Sequence, residues 1–255
     1  MVIGPFHRYV ALGDSFTEGV GDPDPTRPNG VRGWADRVAE ALALTTPDFG
    51  YANLAIRGRL MAEVLDTQLE PALALRPDLV TLYAGGNDLL RPRVDIDAIV
   101  KRYDDAVGRL SAAGAHVTLF TGFDLGHAPV FRYLRGRVAI YNEHVREIAD
   151  RHAATLVDFW RMRDFRDPRL WSADRLHMSS AGHQRMAVAV LEALAVDHAL
   201  VPDSLPALVR LSAREQRAAT LGWAREHAAP WVERRVRRTS SGDGLPARRP
   251  TLDSV

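Results

Sequence analysis

Short apolar segments alternate with helical segments along most of this chain. Five apolar segments of strand length are separated by stretches in which apolar residues recur at helical spacing. The predicted strands cover residues 9–12, 51–55, 79–84, 116–121 and 154–158. The predicted helices cover residues 34–44, 60–75, 95–113, 133–152 and 179–194. This alternation indicates βαβ units, so we expect an α/β fold with a parallel five-stranded sheet covered by helices on both faces.

Residues just past the strand ends are candidate functional residues, because ligands of open parallel sheets bind outside the carboxyl ends of the strands. Ser15 follows the first predicted strand, Gly58 the second and Asn87 the third. A loop after the fifth strand carries Asp174 and His177. The predicted topology therefore brings these side chains toward one edge of the sheet.

Ser15 is a candidate nucleophile. Gly13 permits a sharp turn at the end of the first strand, and Ser15 then begins a helix or loop. A serine at this point presents its hydroxyl at the sheet edge and carries a backbone N–H that can stabilise an oxyanion. A serine that caps the amino end of a helix is equally typical of this position. The stretch alone leaves both interpretations open.

A carboxylate and an imidazole lie three residues apart at Asp174 and His177. If their loop crosses the sheet edge, His177 can reach Ser15 while its other ring nitrogen donates to Asp174. The carboxylate would then fix the histidine tautomer and stabilise the imidazolium that forms when the serine gives up its proton. The alternative is a surface pair near a helix start, with Ser179 or Ser180 as the cap.

Three groups could donate to a developing oxyanion: the Ser15 N–H, the Gly58 N–H and the side-chain amide of Asn87. Gly58 allows a ligand to approach the backbone closely. Taken singly, Gly58 and Asn87 are also typical turn residues. Together with Ser15, His177 and Asp174 they supply a nucleophile, a base, its orienting group and three donors.

Four blocks of the sequence, taken in order, resemble the SGNH hydrolase superfamily, also called the GDSL esterase/lipase family. The blocks are Gly13-Asp14-Ser15, Asn53-Leu54-Ala55-Ile56-Arg57-Gly58, Gly85-Gly86-Asn87-Asp88 and Asp174-Arg175-Leu176-His177. The resemblance covers residues 9–194. It implies a flavodoxin-like three-layer α/β/α sandwich and a Ser–His–Asp hydrolase that needs no metal or cofactor. It also implies a catalytic triad of Ser15, His177 and Asp174, and an oxyanion hole of Ser15, Gly58 and Asn87.

Two departures from known motifs are informative. Phe16 stands where the named family motif has leucine, which affects packing behind the serine and not its chemistry. Thr17 stands where the G-x-S-x-G elbow of α/β-hydrolases has its second glycine. We therefore do not expect the α/β-hydrolase type of nucleophile turn.

Composition bears on partners and location. The 33 basic and 32 acidic residues give a net charge of +1, so no global field favours nucleic acid. The chain has no cysteine, which excludes disulfides and thiolate chemistry. We find no signal peptide and no apolar run that approaches the ~18 residues of a membrane span. We expect a cytoplasmic protein without stable membrane insertion, and the sequence does not predict its oligomeric state.

The chain divides by composition into three parts. We assign residues 1–200 to the hydrolase domain, 201–238 to a helical extension and 239–255 to a flexible tail rich in Ser, Gly, Pro and Arg. Residues 207–229 carry a partial apolar stripe, so we expect that helix to dock on the main domain. The four motif blocks end before it, so we expect the chemistry not to depend on it.

The predicted function is serine-dependent hydrolysis of a carboxylic ester through an acyl-enzyme, with a small acyl ester as the substrate. An O-acetylated sugar, a lysophospholipid or a thioester would suit the same fold. The alternative from another class is a catalytically silent module that binds a small molecule in the same pocket.

Overall fold

The computed structural model describes residues 5–127, 131–208, 212–237 and 239–255. Its strands are β1 (Arg8–Gly13), β2 (Gly50–Asn53), β3 (Leu79–Tyr83), β4 (His116–Phe120), β5 (Thr155–Val157) and β6 (Arg249–Asp253). They form a sheet in the order β5-β4-β3-β1-β2-β6. Strands β1 to β5 run parallel, and β6 pairs antiparallel with β2. Because β1 lies between β2 and β3, the carboxyl ends of these three strands meet at one place.

Helices cover both faces of the sheet. They are α1 (Ser15–Glu18), α2 (Trp34–Ala43), α3 (Met61–Ala74), α4 (Gly86–Leu89), α5 (Ile96–Ala112), α6 (Arg135–Arg151), α7 (Ser180–Ala193), α8 (Ala213–Trp223) and α9 (Ala229–Arg237). Helices α3, α5 and α6 pack on one face, and α2 and α7 pack on the other. None of the helices in the described ranges is long and apolar enough to cross a membrane.

The two-sided core follows from the alternation of side chains along a strand. In β1, Val10 and Leu12 point into the core under α3, α5 and α6, while Tyr9 and Ala11 point into the core under α2 and α7. These four side chains are at most 1% exposed. A strand that is buried on both faces is apolar at most of its positions, which is why the strand segments are nearly continuous apolar runs.

The fold class and the five parallel strands predicted from the sequence are confirmed, and the structure adds a sixth strand. This strand lies in residues 239–255, where the sequence predicted a flexible tail. The prediction is wrong for residues 249–253, which form β6 along the open edge of β2. The edge of β2 offers unpaired backbone groups, and a polar, proline-containing segment can pair with them without any apolar signal in its sequence.

The preceding segment, residues 212–237, is called the arm below. It consists of α8, a π-helical turn (Ala224–Ala228) and α9. The sequence predicted that a helix over 207–229 docks on the main domain; residues 209–211 of that range lie outside the described residues. No residue of α8 is buried, and Leu221 is 61% exposed. The arm therefore contributes little to the core.

Candidate active site

Ser15 lies at the first position of α1, directly after the end of β1. The turn between them needs glycine, because Gly13 has a φ of +147° and a Cβ there would collide with the carbonyl oxygen of Tyr83. Asp14 caps α1 and accepts a hydrogen bond from the Phe16 N–H at 3.1 Å. The sharp turn and the cap together present the Ser15 hydroxyl at the carboxyl edge of the sheet.

His177 and Asp174 lie beside Ser15 in a loop between β5 and α7. The His177 Nε2 atom is 3.0 Å from Ser15 Oγ, and His177 Nδ1 is 2.6 Å from Asp174 Oδ2. The second carboxylate oxygen, Oδ1, accepts from Ser172 Oγ at 2.6 Å, from the Leu176 N–H at 2.9 Å and from the His177 N–H. The structure brings the three side chains together as a hydrogen-bonded chain.

The hydrogen bonds to Asp174 keep this carboxyl ionised. Burial acts to raise its pKa, but the hydrogen bond and charge of His177, together with the other donors, hold the pKa of Asp174 well below its usual value. An ionised carboxylate at this atom accepts a proton-bearing Nδ1, so Nε2 is left to accept a proton from the Ser15 hydroxyl. The arrangement can therefore deprotonate a serine.

Asn87 lies at the start of α4, across the site from His177. Its Nδ2 donates to Asp14 Oδ2 at 3.1 Å and to the carbonyl oxygen of Arg59 at 3.0 Å. Burial raises the pKa of Asp14 to about 7, partly offset by the hydrogen bond from the Phe16 N–H, the charge of His177 and the Asn87 amide. The Asn87 side chain thus ties the nucleophile turn to the loop that contains Gly58.

Gly58 lies in a turn after β2 with a φ of +76°, a conformation that favours glycine. It is not among the residues that line the pocket at Ser15, whereas Ser15, Asn87 and His177 are. A Cβ at Gly58 would collide with the hydroxyl of Ser240 from the C-terminal segment. The Gly58 turn is therefore adjacent to the site and covered on its outer side by residues far along the chain.

Sequence reasoning missed the ion pair that supports this turn. The fully buried carboxylate of Glu18 accepts from the Arg57 N–H at 2.6 Å and from its guanidinium at 2.7 Å. Glu18 belongs to α1, so the pair joins the helix that begins at Ser15 to the residue before Gly58. Glu18 lies three positions after the first motif block and Arg57 lies inside the second, and an acidic and a basic residue so placed are the signal that could have been used.

The pocket at Ser15 is lined mainly by apolar side chains. It is a cleft of about 930 Å³ of empty space that includes an opening to solvent. Its walls include Phe16, Leu90, Phe123, Phe131, Val138 and Trp171. The polar atoms that face it converge near Ser15, which is the usual pattern of a pocket for a largely apolar ligand.

His183 is a fully buried histidine on α7. Its Nδ1 accepts from the Trp34 N–H at 3.1 Å, and Nε2 is 3.2 Å from the carbonyl oxygen of Val20. Burial lowers its pKa to about 4, so the ring is neutral and joins α2 to the loop after α1. In the part of the chain that the structure describes, no group of three or more histidine, aspartate or glutamate side chains could hold a metal ion.

Comparison with known proteins shows the family and the fold. A family model described as GDSL-like lipase/acylhydrolase matches residues 11–185. An acetylxylan esterase from Geobacillus stearothermophilus has 23% identity and a TM-score of 0.62, over 77% of this chain and 98% of that one. An α/β hydrolase from the metagenome of Lake Arreo, Spain, has 24% identity and a TM-score of 0.63, over 76% of this chain and 98% of that one. These likenesses show the fold.

Two further structures of the Geobacillus enzyme are described as catalytic mutants, one with a serine and one with a histidine replaced by alanine. Their identity to this chain is also 23%. No curated protein matches the sequence.

Proposed function

Since the chain belongs to the GDSL-like lipase/acylhydrolase family and is an ester hydrolase, we propose that Ser15, His177 and Asp174 are its catalytic triad. The observation that carries this proposal is the continuous hydrogen-bonded chain from Ser15 Oγ through the imidazole to the Asp174 carboxylate. The serine and histidine mutants described as catalytic in the Geobacillus enzyme support the same pair of residue types.

In the proposed reaction, Ser15 Oγ attacks the ester carbonyl carbon while His177 Nε2 accepts the hydroxyl proton. The bond from the carbonyl carbon to the alcohol oxygen then breaks, and His177 returns the proton to the departing alcohol. Water attacks the acyl-Ser15 ester in the same way and releases the carboxylic acid. Asp174 accepts a hydrogen bond from the Nδ1–H group throughout and stabilises the imidazolium that forms in each half of the reaction.

The proposed oxyanion donors are the backbone N–H groups of Ser15 and Gly58 and the side-chain amide of Asn87. The Asn87 Nδ2 group already donates to Asp14 and to Arg59. In the proposed step, the N–H directed at Asp14 is shared with the oxyanion, whose negative charge is concentrated on a single oxygen atom. Asn87 thus enters the reaction without leaving the position that its two acceptors give it.

The apolar lining of the pocket supports an ester with an apolar acyl group as the substrate. An O-acetyl group on a xylan-type sugar, as the name of the Geobacillus enzyme suggests, is the alternative within the same chemistry. Lysophospholipid and thioester substrates fit the triad equally well. A series of aryl esters from acetate to octanoate separates an apolar acyl group from an acetyl group, because an apolar pocket favours butyrate and longer chains over acetate.

Labelling with an organophosphonate tests whether Ser15 is the nucleophile of the esterase reaction. We expect covalent modification at Ser15, and we expect Ser15→Ala to lower turnover by roughly 10⁴ or more because the triad acts as a unit. Ser204→Ala, which changes an exposed serine, is the matched control and should keep both labelling and turnover. A folded wild-type protein that resists labelling, or a Ser15→Ala variant of near-normal activity, contradicts the triad.

A further inference from the structure

The arm touches the loop that carries Asp174 and His177 at one well-defined point. The indole N–H of Trp223, at the end of α8, donates to the carbonyl oxygen of Asp174 at 2.9 Å. The guanidinium carbon of Arg175, the next residue in the loop, lies 5.1 Å from the centroid of the Trp223 ring. One side chain of the arm therefore holds two consecutive residues of the loop.

The loop needs such support. Arg175 has a φ of +58°, in the left-handed region that a residue with a side chain adopts at a cost. On its inner side, the loop is held by the bond from the Ser172 N–H to the His177 carbonyl oxygen, 2.8 Å, and by the donors to Asp174 Oδ1. Trp223 holds it on the outer side, where Arg175 is exposed.

Within the described residues, α8 buries no side chain against the rest of the protein. The residues of α8 from Ala213 to Leu221 are exposed, and Trp223 is only half-buried. A helix that served the core would bury an apolar face, and this one buries none. Its specific contribution at this end is thus the hydrogen bond and the ring contact to the Asp174 loop.

We propose that Trp223 is a positioning residue for the esterase reaction. It fixes the Asp174 backbone and the Arg175 side chain so that His177 Nε2 stays within hydrogen-bond distance of Ser15 Oγ. The inference rests on the proposed triad, in which these atoms react. Trp223 lies beyond residues 11–185, so it is not part of what the family model matches.

The test compares Trp223→Ala and Trp223→Phe with the wild type. Loss of a hydrogen bond and a cation–π contact should lower kcat roughly tenfold in the alanine variant. The phenylalanine variant keeps a ring under Arg175 and should retain part of that rate. KM should stay unchanged because Trp223 does not line the pocket. The rate of Ser15 inactivation by a small phosphonate should fall in parallel with kcat.

Leu221→Ala is the matched control, since Leu221 lies on the same helix, is 61% exposed and is not part of the loop contact. It should leave kcat, KM and the thermal midpoint unchanged. Wild-type labelling rates in Trp223→Ala would overturn the inference while leaving the triad intact. A loss of kcat that Leu221→Ala shares, or that follows a lowered thermal midpoint, would equally overturn it. If the wild type itself is not labelled at Ser15, the proposed function has failed instead.

Discussion

The two parts of the C-terminal extension attach to the protein in opposite ways. The arm, residues 212–237, carries tryptophan and leucine side chains but has an exposed α8, with Leu221 at 61% exposure. Strand β6 and the residue before it, Arg248, are rich in polar groups. The side chain of Arg248 is nevertheless fully buried. The more apolar segment is the more exposed one.

Hydrogen bonding explains the difference. The Arg248 guanidinium donates to the Asp36 carboxylate at 2.7 Å and to the carbonyl oxygens of Glu18, Val31 and Arg32. The adjoining strand pairs with the edge of β2. Arg248 thus donates hydrogen bonds to three carbonyl groups and one carboxylate. A leucine side chain, such as that of Leu221 on the arm, has no group that could do this.

The two parts also serve different sides of the site. Arg248 binds the carbonyl of Glu18 at the end of the nucleophile helix, and the Ser240 hydroxyl is 3.3 Å from the carbonyl oxygen of Arg57 beside Gly58. Trp223 of the arm contacts the Asp174 loop instead. The comparison therefore predicts that changes near β6 alter stability first, and that changes in the arm alter turnover first.

The largest effect is expected from Arg248→Ala. This variant leaves the Asp36 carboxylate, whose side chain is fully buried, without its cation, and breaking a buried pair costs about 3–5 kcal/mol. Urea unfolding measures the loss. Arg237→Ala is the control, because Arg237 is 71% exposed and pairs with Glu233 on the surface of α9. If both variants unfold at the same urea concentration as the wild type, the buried pair of Arg248 and Asp36 does not stabilise the fold, and this prediction is wrong.

The pH dependence of that loss identifies its origin. Burial raises the pKa of Asp36 above its ordinary value of 3.8, although Arg248 acts to lower it. For a carboxyl whose folded-state pKa is raised, stability is present below the unfolded pKa and is lost as pH rises through the folded pKa. Without Arg248 the folded pKa rises further, so the difference in unfolding free energy between Arg248→Ala and wild type should widen as the pH rises above the folded-state pKa of Asp36 in the wild type. If the difference in unfolding free energy is constant with pH, it comes from lost packing and not from the charge of Asp36.

The smallest effect is expected from a pair of leucines. Leu252 in β6 is half-buried and packs against the core, so Leu252→Ala should lower the unfolding free energy by roughly 1–2 kcal/mol. Leu221→Ala on the arm should stay within about 0.5 kcal/mol of wild type. Thermal or urea unfolding of both variants measures the two losses of unfolding free energy. Equal losses would mean that the arm is as firmly packed as the strand.

The sequence predicted the fold well because its information is local. Continuous apolar runs such as 9–12 and 79–84 are typical of strands buried on both faces, and they are confirmed. The residues past their ends, Ser15 and Asn87, meet because β1 and β3 are neighbours in the sheet. The distances that join Ser15, His177 and Asp174 depend on how the chain folds between the serine and the histidine, which are 162 positions apart in the sequence, and no motif spacing encodes those distances.

The parts that sequence reasoning missed depend on distant partners. Arg248 resembles any other arginine of a basic tail until the carbonyl groups around Asp36 surround it. Glu18 lies just after the first motif block and Arg57 lies inside the second, but their pairing requires that β1 and β2 be adjacent. Trp223 lies in the segment 207–229, which the sequence predicted to dock as a helix on the main domain, whereas the structure describes a hydrogen bond and a ring contact from Trp223 to the Asp174 loop.

Strand β6 also determines how this sheet meets other molecules. Because it covers β2, the outermost backbone on that side belongs to the segment Arg249–Asp253. Pro250 within it has no N–H to offer a further strand, and Arg249 and Asp253 at its ends carry charges of opposite sign. A strand from another chain that approached this edge would find an incomplete ladder, which is how natural sheets resist edge-to-edge aggregation. Truncation before residue 249 would bare β2 and favour aggregation of chains that have already folded.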